Sequence, residues 1–210
     1  MRYLLLLLLC VLFYLFPQID LYVSALFFDG DFYLKNTLFA KAVYRLTIVS
    51  VALFVIGVAA LLLYENITKK EIVRRRVLVY LLLALLLGPG LLVNVVFKDH
   101  WGRARPSQIA AFGGSKKFTP AFVIADQCEK NCSFTSGHAA AAFYFLALVP
   151  LFEGRKRRIA LIAALSWGSL VGFVRIIQGG HFLSDVVCSA VFVYIVSDIL
   201  YKLIVAKERQ

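Results

Sequence analysis

Val77-Leu-Val-Tyr-Leu-Leu-Leu-Ala-Leu-Leu-Leu-Gly-Pro-Gly-Leu-Leu-Val-Asn-Val-Val-Phe97 carries no charged side chain from end to end. A helix needs about 20 mostly apolar residues to cross the hydrocarbon core of a bilayer, and this stretch meets that requirement. Arg74, Arg75 and Arg76 precede it, and Lys98 follows it. Charges gathered at both ends of an uncharged run are the pattern of a membrane span rather than of a soluble core helix.

The rest of the chain agrees. Its 210 residues are 61% apolar and 17% charged, with a mean hydropathy of +0.83, well above a soluble domain of this size. Six spans are expected: Tyr3–Phe16, Leu46–Tyr64, Val77–Phe97, His138–Phe152, Ile159–Val174 and Phe182–Val205. The fold class is therefore all-α, a polytopic membrane protein forming a single domain over residues 1–210. The N-terminal apolar run reads as an uncleaved first span, because Leu9 precedes Cys10 and no small-residue cleavage site follows.

A net charge of +11 could suggest nucleic acid, but the basic residues cluster in short segments between apolar runs, which excludes that reading. With a cytoplasmic N-terminus, the inner segments hold Arg2, Lys69, Lys70, Arg74–Arg76, Arg155–Arg158, Lys202, Lys207 and Arg209. The remaining cations are spread over much longer outer segments, so both termini are expected in the cytoplasm. The outer segment Pro17–Arg45 mixes aromatic residues with Asp20, Asp29, Asp31 and Lys35. It reads either as an amphipathic stretch lying on the membrane surface or as a plain aromatic loop. Cys128 and Cys132, in the outer segment Lys98–Thr135, form a possible disulfide or remain free thiols.

Three clusters fall at the outer ends of the last four spans. Lys98-Asp-His-Trp-Gly-Arg-Ala-Arg-Pro106 brings Lys98, Arg103 and Arg105 to one end; alone it would pass for snorkelling cations beside an interfacial tryptophan. Ser133-Phe-Thr-Ser-Gly-His138 puts Ser136 and Gly137 at a helix start, where free backbone N–H groups attract anions, although an ordinary N-cap looks the same. Arg175, His181 and Asp185 share the turn before the last span, with the carboxylate one helical turn from the imidazole. A buried structural His–Asp pair would have that spacing too. The conjunction is stronger than its members: phosphoryl transfer needs positive charge around the equatorial oxygens, a nucleophile, and an acid for the leaving group.

In this order, Lys98-x6-Arg105-Pro106, Ser136-Gly137-His138 and Arg175-x5-His181-x3-Asp185 resemble the type-2 phosphatidic acid phosphatase superfamily of membrane lipid phosphatases and soluble vanadium haloperoxidases. Thr135 stands where many members have proline. Gly88-Pro-Gly90, Asn94, the Lys98–Pro106 cluster and Gln127–Phe134 are most similar to bacterial lipid A 4′-phosphatases. The resemblance implies catalytic roles for His181 as nucleophile, Asp185 as its orienting carboxylate and His138 as acid and then base. It implies phosphate binding by Lys98, Arg105, Arg175, Ser136 and Gly137, with Arg103 as a fourth cation. No metal or other cofactor is implied, since the chain has three histidines and two already have metal-free roles.

The expected function is removal of a monophosphate from lipid A (4′ position) through a phosphohistidine, at the periplasmic face of a bacterial inner membrane. Undecaprenyl diphosphate, phosphatidylglycerophosphate and phosphatidic acid are rival substrates, and a non-catalytic anion-binding or transport protein is the rival of another class. The expected partner is the lipid substrate in the outer leaflet; no nucleic acid and no protein partner is expected.

Overall fold

The computed structural model describes residues 1–206, so Lys207 and Arg209 of the inner basic set lie outside the described residues. Among the described residues the structure is helices joined by loops, the longest running from Trp101 to Ser136, with one short antiparallel ribbon of β1 (Phe28–Asp29) and β2 (Asp31–Phe32). The helices are α1 (Arg2–Leu15), α2 (Gln18–Ala25), α3 (Leu38–Thr68), α4 (Arg75–His100), α5 (Gly137–Leu151), α6 (Gly154–Ile177) and α7 (Leu183–Ile204). Among the described residues α3, α4, α6 and α7 are long and apolar enough to cross a membrane, and α1 with α2 makes a fifth if the pair is one bent span.

The bend follows from Pro17. Proline cannot donate the N–H that would continue α1, and α2 leaves at 78° to it. The segment after the bend is two-sided: Asp20, Ser24 and Phe32 are buried against the bundle, while Tyr22, Leu26 and Tyr33 stay exposed. Tyr44, expected before the second span, lies inside α3. That helix begins at Leu38 because Thr37 caps it, accepting the Ala40 amide at 3.2 Å.

Pro89 interrupts α4 in a second way. From Leu86 to Phe97 the helix widens into π-type bonding, and the Asn94 side-chain amide donates to the Pro89 carbonyl at 2.8 Å. The widened stretch carries Asn94 and delivers Lys98 at its end. α5 is short, but its second half, Tyr144–Leu151, tightens into a 3₁₀ helix with a longer rise per residue. Its length then reaches about 26 Å, close to the hydrocarbon thickness. Ala139, Ala140, Phe143, Tyr144 and Ala147 on α5 are buried and pack among α4, α6 and α7. α5 is thus the central post of the bundle, and its N-terminus is the floor of the site.

Candidate active site

His181 lies in the turn between α6 and α7, and two glycines make that turn possible. Gly179 has φ +63°, the left-handed region, and a Cβ there would also collide with the ring of Phe32. A Cβ on Gly180 would sit 2.2 Å from Arg175 Nη2. Gly180 and His181 both donate their amides to the Arg175 carbonyl, at 3.0 and 3.2 Å, which folds the turn back over the end of α6.

The imidazole is buried, and its Nδ1 is 2.7 Å from the main-chain carbonyl of Ser133. A carbonyl only accepts, so Nδ1 carries the proton and Nε2 keeps its lone pair. Asp185 is farther from Nδ1, at 3.6 Å. The spacing of His181 and Asp185 therefore brings the two together, but the nearest partner that sets the tautomer is the Ser133 carbonyl. Asp185 acts on the surroundings: it accepts from the Phe182 amide at 2.8 Å, the Ser133 hydroxyl at 2.5 Å and Arg103 at 2.7 Å. Its place in the first turn of α7 explains the Phe182 contact, since a carboxylate there reaches back to the N-cap amide. Burial lowers the His181 pKa to about 3, with Arg175 and Lys98 adding to the effect and Asp185 opposing it. The resting imidazole is neutral.

Facing this loop are three cations whose hydrogen-bond partners, among the described residues, are neutral or absent. Arg105 donates to the Asn131 carbonyl at 2.7 Å, and burial lowers its pKa. Arg175 bonds the Gln178 side chain and lies over the ring of Tyr44, 5.1 Å from its centre, while its buried Nε has no partner. Lys98 reaches the start of α5: a Cβ on Gly137 would be 3.2 Å from Lys98 Nζ and 2.5 Å from Asn94 Oδ1, so a side chain there would displace the Asn94 amide. Ser136 caps α5, accepting the Ala139 amide at 3.4 Å, and its own amide donates to the Asp185 carbonyl. His138 stacks on Tyr44 with ring centres 4.0 Å apart, and its buried Nε2 has no hydrogen-bond partner. Asn94, Lys98, Gly137 and His138 line one end of a cavity of about 400 Å³ whose other wall is apolar, formed by Ile48, Val51 and Ala141. A larger cavity of about 750 Å³ is almost wholly apolar and contains none of these residues.

Arg103 departs from the expectation. It is fully buried behind the loop, its guanidinium bonded at 2.7 Å to both Asp20 and Asp185, with Nε on the Thr119 carbonyl. Burial acts to lower its pKa, but the two carboxylates outweigh that and raise it. With every nitrogen engaged, it is not available as a fourth phosphate ligand. Cys128 and Cys132 form a disulfide, with Cα atoms 5.6 Å apart. The segment they close is tied to the site by bonds from the Cys132 amide to the Lys98 carbonyl and from the Ser133 amide to the Arg103 carbonyl.

Two residues in the site carry no motif. Tyr44 joins His138 to Arg175, and Asp20 holds Arg103. A lone tyrosine near a membrane boundary has too many ordinary explanations to stand out, and Asp20 is one of three aspartates in its segment, so neither carried a signal of its own.

The model of the PAP2 superfamily matches residues 77–209. Over 143 residues the chain is 47% identical to the lipid A 4′-phosphatase of Francisella tularensis subsp. novicida, an alignment covering 68% of this chain and 64% of that protein. It is 37% identical over 198 residues to the lipid A 4′-phosphatase of Rhizobium etli, covering 81% and 73%. The lipid A 1-phosphatase of Rhizobium etli is 37% identical over 103 residues, 49% of this chain and 40% of that one. The chain thus spans a little under two thirds of the length of the Francisella relative.

Proposed function

The chain belongs to the PAP2 superfamily, and on that footing we propose that it is a membrane phosphatase that removes the 4′-phosphate of lipid A. The observation that carries the chemistry is the pairing of a tautomer-locked, neutral His181 with three cations that lack carboxylate partners at hydrogen-bond distance. A nucleophile with a free lone pair and an unneutralised anion cradle are what a phosphate monoester requires.

In the proposed reaction Lys98, Arg105 and Arg175 bind the phosphate oxygens, helped by Ser136 and the free amides at the start of α5. Nε2 of His181 attacks phosphorus and the bond from phosphorus to the sugar oxygen breaks. His138, in its protonated form, gives that oxygen its proton. Water then attacks the phosphohistidine, His138 takes a proton from it, the phosphorus–nitrogen bond breaks, and inorganic phosphate leaves. Asp185 stabilises the positive ring that exists between the steps. The cations supply the charge that a metal supplies elsewhere, so the reaction is taken to be metal-independent. Among the described residues no group of three His, Cys, Asp or Glu side chains gathers as ligands.

The proposed topology has six crossings: the bent pair α1–α2, then α3, α4, α5, α6 and α7, with the termini in the cytoplasm and the site at the periplasmic face of an inner membrane. Supporting this, the basic stretches Lys69–Arg76 and Arg155–Arg158 lie at the opposite helix ends from His138 and His181. A cysteine placed at exposed Ser115 or Lys116 should react with an impermeant reagent in cells with a permeabilised outer membrane. Reaction only after inner-membrane lysis would reverse the topology.

The activity is tested with purified protein and lipid A carrying both phosphates, the product position being assigned by fragmentation in the mass spectrometer. His181→Ala and His138→Ala should each abolish phosphate release, vanadate should inhibit it, and a chelator should leave the rate unchanged. Phosphate release by His181→Ala at the wild-type rate would sink the mechanism. Loss of the phosphate at position 1 instead would place the chain with the second Rhizobium relative.

A further inference from the structure

Asp20 stands apart from every motif, outside residues 77–209 where the family match lies, yet it is fully buried and both carboxylate oxygens are engaged. Oδ1 accepts the Ser184 amide at 2.8 Å; Oδ2 accepts Arg103 Nη2 at 2.7 Å and the Ser184 hydroxyl at 2.5 Å. Arg103 Nη1 donates to Asp185 at 2.7 Å and to the Ser184 hydroxyl at 2.8 Å. Arg103 also lies over the ring of Phe182, with its central carbon 4.3 Å from the ring centre. The residues Asp20 grips are therefore the two that flank Asp185 in space, and Phe182 and Ser184 bracket the start of α7 immediately after His181.

We propose that Asp20 is a positioning residue for the nucleophile, acting through Arg103 and Ser184 to fix Asp185 and the start of α7 behind His181. Two physical consequences follow. The fork of Arg103 is planar, so clamping Nη2 on Asp20 fixes where Nη1 presents itself to Asp185. The buried set also contains two carboxylates and one guanidinium, leaving one net negative charge behind a ring that becomes positive only when it carries phosphate. Such a charge favours the intermediate over the resting state and so acts on turnover more than on substrate binding. α2, reached through the bend at Pro17, is in this reading part of the catalytic apparatus rather than an anchor.

The inference rests on the phosphatase reading, and its test is arranged so that the two can fail separately. Wild type, His181→Ala, Asp20→Asn, Arg103→Gln and Asp20→Asn with Arg103→Gln are purified, and phosphate release from lipid A is followed with active protein counted by vanadate titration. Asp20→Asn is expected to lower kcat by about 10- to 100-fold, the scale for a partner one contact removed from the reacting group, with KM within about twofold. The double variant is expected to lose less than the product of the two single losses, because the residues act as one unit. A wild-type kcat per titrated site in Asp20→Asn overturns the proposal, even if its melting temperature falls, since that is a purely structural role. If Asp20→Asn does not fold, Ser184→Ala decides, because it removes one arm of the clamp and keeps the amide: a several-fold loss of kcat at constant KM supports the proposal, and no loss overturns it. A His181→Ala protein as active as wild type would instead remove the phosphatase reading beneath it.

Discussion

Arg103 and Arg105 are two residues apart on one loop and end among different partners, Arg103 on Asp20 and Asp185 and Arg105 beside Lys98, His138 and Arg175. Behind the imidazole, Arg103 is buried and neutralised by two carboxylates; in front, Arg105 is half-buried and rests on a single main-chain carbonyl. Lys98 and Arg175 share the front, and Asp20, Ser184 and Asp185 share the back. The contrast separates two uses of positive charge. A guanidinium whose charge is already matched holds structure; one whose charge is unmatched is waiting for an anion. Residue type does not distinguish them, but the partners do.

The sharpest way to break this comparison is to remove each arginine. Arg103→Ala leaves two buried carboxylates uncompensated and should cost about 3–5 kcal/mol of stability, read as a large fall in the melting temperature in detergent. Arg105→Ala should leave melting almost unchanged and lower kcat/KM by about 10- to 100-fold, the value of about 1.5–3 kcal/mol for a charge-assisted hydrogen bond. An exchange of these two outcomes would reverse the assignment of front and back.

A smaller effect comes from His181 itself. Its pKa is lowered in the folded protein, from 6.5 to about 3, so the unfolded chain binds a proton that the folded chain does not. This contribution is fully present above pH 6.5 and is lost as pH falls toward 3, by at most about 1.4 kcal/mol per pH unit. Unfolding followed from pH 7 to pH 5 should show this slope in wild type and a flatter one in His181→Gln; equal slopes would mean that the imidazole is not held neutral. The smallest effect expected is at Tyr44, where the contacts are made by the ring. Tyr44→Phe should keep wild-type turnover, and Tyr44→Ala should lose about 2- to 10-fold, matching about 0.5–1.5 kcal/mol for a stacked pair. A large loss in Tyr44→Phe would show that the hydroxyl, not the ring, is what the site uses.

Much of the front was legible before any coordinates. Long apolar runs mark α4, α6 and α7, and the spacing of Lys98, Arg105, His138, Arg175 and His181 marks the helix ends that meet at the site. The back was not legible, for physical reasons. Asp20 sits in a segment whose aromatic and acidic residues look like a membrane surface; its burial depends on an ion partner more than eighty residues away. Tyr44 was hidden because Lys41 and Arg45 break the apolar run at the start of α3. Arg103 was misplaced because it shares a basic cluster with Arg105, and only the third dimension separates a matched charge from a free one. The His181–Asp185 spacing was sound as proximity, yet it could not reveal that a carbonyl stands closer.

That carbonyl has a consequence for how such a site can drift. Because the proton on His181 Nδ1 points at the backbone of residue 133, the side chain at 133 can be exchanged without touching the acceptor. A tautomer set by the main chain is indifferent to point mutation, so inheritance can vary the polar residues around the ring while the reactive nitrogen keeps its identity.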